Sequence, residues 1–130
     1  MTKELIKRTG LRRLLYTLVN SGRGLAFLLR HEEAFQLEVL CAIVLAPLAL
    51  WLPATPVETV LLLGSLMLVL IVEVLNTAVE ALTDRIGLER HTLSGLAKDL
   101  GSLAVTLSLV WVLVVWGLIA WPYLTGLLVW

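Results

Sequence analysis

Three apolar runs of near-bilayer length limit what this chain can fold into. They are Leu37 to Leu52, Val57 to about Glu80, and Leu100 or Gly101 to about Ile119. A hydrocarbon core of ~30 Å takes about 20 helical residues to cross. The first run is short by that measure, and including Ala34 and Phe35 brings it to length. Apolar residues make up 59% of the chain, above the roughly 45–50% of soluble domains, so the chain reads as an integral membrane protein. The expected fold is all-α and forms one domain over residues 1–130. It has a surface helix within residues 1–30 and spans over about 34–52, 57–80 and 101–121.

Charge placement sets the expected orientation. All ten Lys and Arg fall in residues 1–30 or 85–98, and none lies in the Pro53–Pro56 turn or the C-terminal tail. By the positive-inside rule the N-terminus and the 81–100 connection are cytoplasmic, and the turn and C-terminus are outside. Trp51, Trp111, Trp116, Trp121 and Trp130 fit an interfacial belt at the outer end. The first apolar run follows a long basic segment with no convincing small-residue cleavage site, so it would serve as its own targeting signal. Within residues 1–30, Leu11, Leu14, Leu15 and Leu18 form one helical face, with Arg8, Arg12 and Arg13 beside or opposite it. That pattern fits a helix lying in the interface with its arginines among phosphates. Asn20-Ser21-Gly22 reads as a break in it. Residues 85–99 read as a loop or short helices, with Gly87 and Gly95 each ending a turn.

The second run ends in a stripe of polar residues: Glu73, Asn76, Glu80 and Asp84. Spaced i, i+3, i+7 and i+11, they share one helical face. An acid at the centre of a membrane helix costs about 2.5–3.5 kcal/mol on insertion scales, so an aligned set points to a polar partner. The predicted topology puts this stripe level with Glu32, Arg13 and Lys98. Carboxylates and cations gathered at one interface suit magnesium-nucleotide chemistry, since Mg²⁺ takes one or two carboxylates with waters and phosphate oxygens. Glu73 is the deepest acid, and an apolar setting strengthens a carboxylate as a base. The alcohol it would deprotonate must be a lipid reached sideways from the bilayer. No G-x-x-x-x-G-K-[ST] or G-x-G-x-x-G motif occurs, and no His/Cys set has zinc spacing. His31 and His91 read as polar surface and Cys41 as a small core residue. Glu33 and Glu38 read as solvated interface residues, and Asp84 as paired with Arg85 or Arg90 or else part of the stripe.

The segment from Glu73 to Asp84 resembles the signature of the prokaryotic integral-membrane diacylglycerol kinases. That signature reads Glu, any, aliphatic, Asn, Ser or Thr, small, aliphatic, Glu, two of any kind, Val, Asp. The single departure is Thr83 in place of Val, expected off the acidic face. The blocks from His31 to Phe35 and from Leu93 to Ser102 resemble the family in the same order, and the likeness runs from about Thr9 to Trp121. It implies a homotrimer with active sites shared between subunits, in a bacterial inner membrane, phosphorylating diacylglycerol with ATP and Mg²⁺ and binding no nucleic acid. Small residues Gly64, Ser65, Ala78, Gly101, Ser102 and Ala104 would permit close helix contacts. The resemblance implies Glu73 as base, with Asn76 positioning that base or the attacking hydroxyl. It implies Glu32 and Glu80 on the metal and the ATP phosphates. Arg13, Asn20, Glu89, Arg90, His91, Lys98 and Asp99 would complete the ATP site. Glu73, Ser102, Trp116 and Trp121 would meet the lipid. A relative of the same architecture phosphorylates undecaprenol instead. From another class, a small proton-coupled transporter could use Glu73 as its exchanging carboxylate. The gathering of polar groups at one interface argues against a through-pathway.

Overall fold

A computed structural model describes residues 9–89 and 91–126. Lys3, Lys7, Arg8, Arg90 and Trp130 therefore lie outside the described residues. Four helices follow one another: α1 (Leu11–His31), α2 (Glu33–Trp51), α3 (Pro56–Ile86) and α4 (Thr92–Leu124). The last three are long and apolar enough to cross a membrane. α3 packs along α4 and against α2, and α1 packs against α2.

α1 runs unbroken through Asn20, Ser21 and Gly22, contrary to the break expected there. Its hydroxyls bond back within the helix: Thr17 Oγ1 donates to the Arg13 carbonyl and Ser21 Oγ to the Thr17 carbonyl, each at 2.8 Å. Bonded this way, they do not offer the backbone a competing turn. The helix stops instead at Glu32, whose extended backbone (φ −109°, ψ 103°) is the one residue between α1 and α2. Across this joint the Gln36 side chain donates to the Leu29 carbonyl at 2.9 Å, satisfying an acceptor left open at the helix end. Leu28 is the only buried residue of α1.

α2 ends at Trp51, and a short turn leads into the capping box that starts α3. Thr55 Oγ1 accepts from the Glu58 N–H at 3.2 Å, and Glu58 Oε2 accepts from the Thr55 N–H at 2.9 Å. Pro56 takes the first helical position, where its missing N–H costs nothing. Tyr123 of α4 reaches the same end, its hydroxyl donating to Glu58 Oε2 at 2.8 Å. Around this link Ala49, Leu52, Leu62, Val115 and Ala120 form the buried core. Cys41 is exposed, not part of that core.

At the other end α3 continues past Glu80 to Ile86, and α4 begins at Thr92. The polar connection is therefore shorter than expected, and Gly95 is helical. His91 is the reason: its Nδ1 accepts from the Leu93 N–H at 3.1 Å, and its carbonyl accepts from the Gly95 N–H at 2.9 Å. With 31 residues, α3 is about 46 Å long at 1.5 Å per residue, longer than the hydrocarbon core. Counting about 20 residues from Pro56, or back from Trp121, arrives near Asn76 and Gly101. Those two residues touch.

Candidate active site

Glu73 is 5% exposed. Its side chain turns toward α2, where its carboxyl lies within hydrogen-bonding reach of Glu38. Glu80 and Glu32 stand close enough to add their negative charge. Glu38 is half-buried, and its Oε2 has no hydrogen-bond partner among the described residues. This corrects the reading of Glu38 as a solvated interface residue; Glu33, by contrast, is exposed. Glu38 of α2 is thus the neighbour of Glu73, with the charges of Glu32 and Glu80 felt there as well. The single sequence signal for Glu38 was an acid inside an apolar run. Its partner lies on another helix, so helical spacing could not find it.

Asn76 is tied to Glu80 and not to Glu73. Its Nδ2 donates to Glu80 Oε1 at 3.4 Å, and its Oδ1 is buried against Gly101 without a hydrogen-bond partner among the described residues. Thr83, the departure from the signature, is 7% exposed, and its hydroxyl donates to the Val79 carbonyl at 2.7 Å. Its polar atom is therefore satisfied within α3.

Asp84 pairs with Lys98 of α4 at 2.7 Å and not with Arg85; Arg90, the other expected partner, lies outside the described residues. Glu80 adds to the negative charge that Lys98 meets. Beside this pair an open cleft of about 520 Å³ is lined by Thr83, Asp84, Glu89, His91, Ser94 and Lys98, among others. Asp99 follows Lys98 on α4 and is exposed, as is Ser102.

One chain therefore brings Glu38 beside Glu73, with Glu32 and Glu80 near enough for their charge to be felt, and places Glu89, His91 and Lys98 around the cleft. Arg13 and Asn20 stay exposed on α1. Trp116 and Trp121 lie toward the opposite end of α4; Trp116 is about 27 Å along the helix from Lys98 at 1.5 Å per residue. Its indole N–H is buried without a partner among the described residues.

Among the described residues no three His, Cys, Asp or Glu side chains stand close enough to hold a metal ion as a set. A wholly protein-held ion therefore does not fit. A magnesium ion that brings waters and phosphate oxygens needs only one or two carboxylates, and the half-buried Glu32 and Glu80 beside Glu73 supply hard oxygen donors of that kind.

The family described as prokaryotic diacylglycerol kinase matches residues 19–120. The chain is 45% identical over 111 residues to a diacylglycerol kinase of Haemophilus influenzae, covering 85% of this chain and 94% of the relative. It is 40% identical over 115 residues to the Escherichia coli diacylglycerol kinase, covering 88% and 94%. With that of Pseudomonas aeruginosa it shares 43% over 112 residues, covering 86% and 91%.

Proposed function

The chain belongs to the prokaryotic diacylglycerol kinase family, and from that premise we propose how its residues divide the reaction. It is a lipid kinase that moves a phosphoryl group from a nucleotide to the hydroxyl of diacylglycerol, giving phosphatidic acid. The donor is ATP. The observation that carries the reading is Glu73: a carboxylate buried in an apolar helix, with Glu38 beside it.

Glu73 takes the proton of that hydroxyl as its oxygen bonds to the γ-phosphorus. The bond from phosphorus to the bridging oxygen breaks, and ADP leaves. Lys98 meets the phosphates, releasing Asp84 to do so, and Asp99 with the Glu89–His91 segment borders the nucleotide. Magnesium, when bound, neutralises charge on the β- and γ-phosphates. Glu32 and Glu80 are the residues that would hold it. Glu38 faces Glu73 and orients its carboxyl. Asn76 fixes Glu80. Ser102 lines the lipid side, and Trp116 and Trp121 meet the distal part of the lipid. Arg13, Asn20 and Arg90 join the nucleotide from the surface helix and the 87–91 connection, in a homotrimer whose sites are shared between subunits. A shared site accounts for the open cleft and the distant α1 residues of a single chain. The protein sits in the bacterial inner membrane with its N-terminus cytoplasmic and its C-terminus outside.

The test is phosphoryl transfer in mixed micelles containing diacylglycerol or undecaprenol, with and without Mg²⁺. Diacylglycerol is the expected acceptor, and turnover of undecaprenol alone would reverse the assignment. Glu73→Gln should reduce turnover far beyond tenfold while ATP affinity holds. Retention of more than about a tenth of activity, a barrier change under ~1.4 kcal/mol, would remove Glu73 from the role of base.

A further inference from the structure

The contact between Asn76 and Gly101 is the closest approach that a glycine makes among the described residues. A Cβ placed on Gly101 would overlap the Asn76 carboxamide oxygen and come within 3.3 Å of its Cγ. The other glycines of α3 and α4, Gly64, Gly95 and Gly117, would meet nothing within 4 Å. Only a hydrogen occupies the Cβ direction at Gly101, and it points at a buried oxygen that has no other partner among the described residues. That is the arrangement of a Cα–H···O contact between helices. The remaining end of the carboxamide donates to Glu80 Oε1. The chain of contacts thus runs from the backbone of α4, through Asn76, to the Glu80 carboxylate.

We propose that Gly101 is a positioning residue: its missing side chain seats the Asn76 carboxamide, which in turn holds Glu80 where Mg·ATP meets it. The inference rests on the assignment of Glu80 to the metal-bound nucleotide. Any side chain at position 101 drives the carboxamide out of its seat. Asn76 can then no longer reach Glu80, because both bonds belong to one rigid planar group. The effect falls first on the nucleotide, since the carboxamide bonds to Glu80 and makes no bond to Glu73.

The experiment compares wild type, Gly101→Ala, Asn76→Ala, the double variant and Glu80→Gln. Each is assayed for affinity toward Mg²⁺ with a non-hydrolysable ATP analogue, for thermal midpoint in detergent, and for KM toward diacylglycerol where turnover survives. Gly101→Ala should weaken analogue binding on the order of tenfold and lower the midpoint, with the lipid KM within about twofold. In the Asn76→Ala background the same substitution should do nothing further in either binding or midpoint. The new Cβ then meets only the Cβ of residue 76, at an ordinary 4.0 Å. A penalty that persists undiminished in that background overturns the proposal, because Gly101 would then act through something other than Asn76. Wild-type analogue binding by Gly101→Ala, with Glu80→Gln impaired, also overturns it. If Glu80→Gln itself binds normally, the assignment of Glu80 has failed and the positioning role falls with it.

Discussion

Glu73 and its neighbours divide into those that helical spacing reveals and those that only packing reveals. The stripe Glu73, Asn76, Glu80 was legible because one helix carries it at turns of 3.6 residues. Glu38 was not, and neither was the pairing of Asp84 with Lys98, because each depends on which helix lies opposite; Gly101 was expected at a close helix contact, and packing adds that Asn76 is what it meets. The resemblance supplied Lys98 as a phosphate ligand; the structure adds that Asp84 holds it meanwhile. This ion pair is roughly half exposed, at 46% and 50%, so water screens it and it adds little to stability. Asp84→Asn should therefore leave the thermal midpoint nearly unchanged and leave Lys98 free to meet phosphate. We expect an equal or lower KM for Mg·ATP, measured by steady-state kinetics; a large rise would mean that Asp84 itself serves the nucleotide. Glu80→Gln should instead raise that KM on the order of tenfold, about 1.4 kcal/mol of lost binding.

Helix ends show where local sequence was sufficient. Thr55, Pro56 and Glu58 spell a capping box at the turn read from Pro53 to Pro56, and α3 starts there. The start of α4 was harder to read, because a histidine cap at His91 is an uncommon signal and Ser94-Gly95 mimics a break. α1 passed through Asn20-Ser21-Gly22 because its hydroxyls found acceptors one turn back. The clamp of Thr55, Glu58 and Tyr123 offers a direct test at this scale. Tyr123→Phe removes the bond to Glu58 and Thr55→Ala removes a helix cap, each for about 1 kcal/mol. Both bonds end on Glu58, one at its N–H and one at its carboxylate, so the double variant should lose less than the sum in a detergent unfolding assay. Phosphoryl transfer should stay at the wild-type level, since the clamp lies at the end of α3 away from Glu73.

For the molecule as a whole, the number of spans followed from the apolar runs, while its assembly leaves no such trace in a single chain. The orientation argued from the basic residues predicts that cysteines introduced at Ala54 and Thr125 react with an impermeant thiol reagent from outside intact cells, and one at Leu88 does not, in a Cys41→Ser background. Sharing of sites predicts that mixing Glu73→Gln with Lys98→Ala subunits restores turnover that neither variant has alone; no recovery would confine each site to one chain. The contact of Asn76 with Gly101, reached from either end of the bundle by the same count of residues, also fixes a level. Below it lies the acid proposed to take the lipid alcohol's proton, and within about three helical turns above it lie Glu80, Lys98 and His91, proposed for the nucleotide. On the proposed assignment, the two reactants meet without either leaving its own solvent. Phosphatidate, once made, carries its new charge on the aqueous side from the start and needs only to drift off sideways in its leaflet.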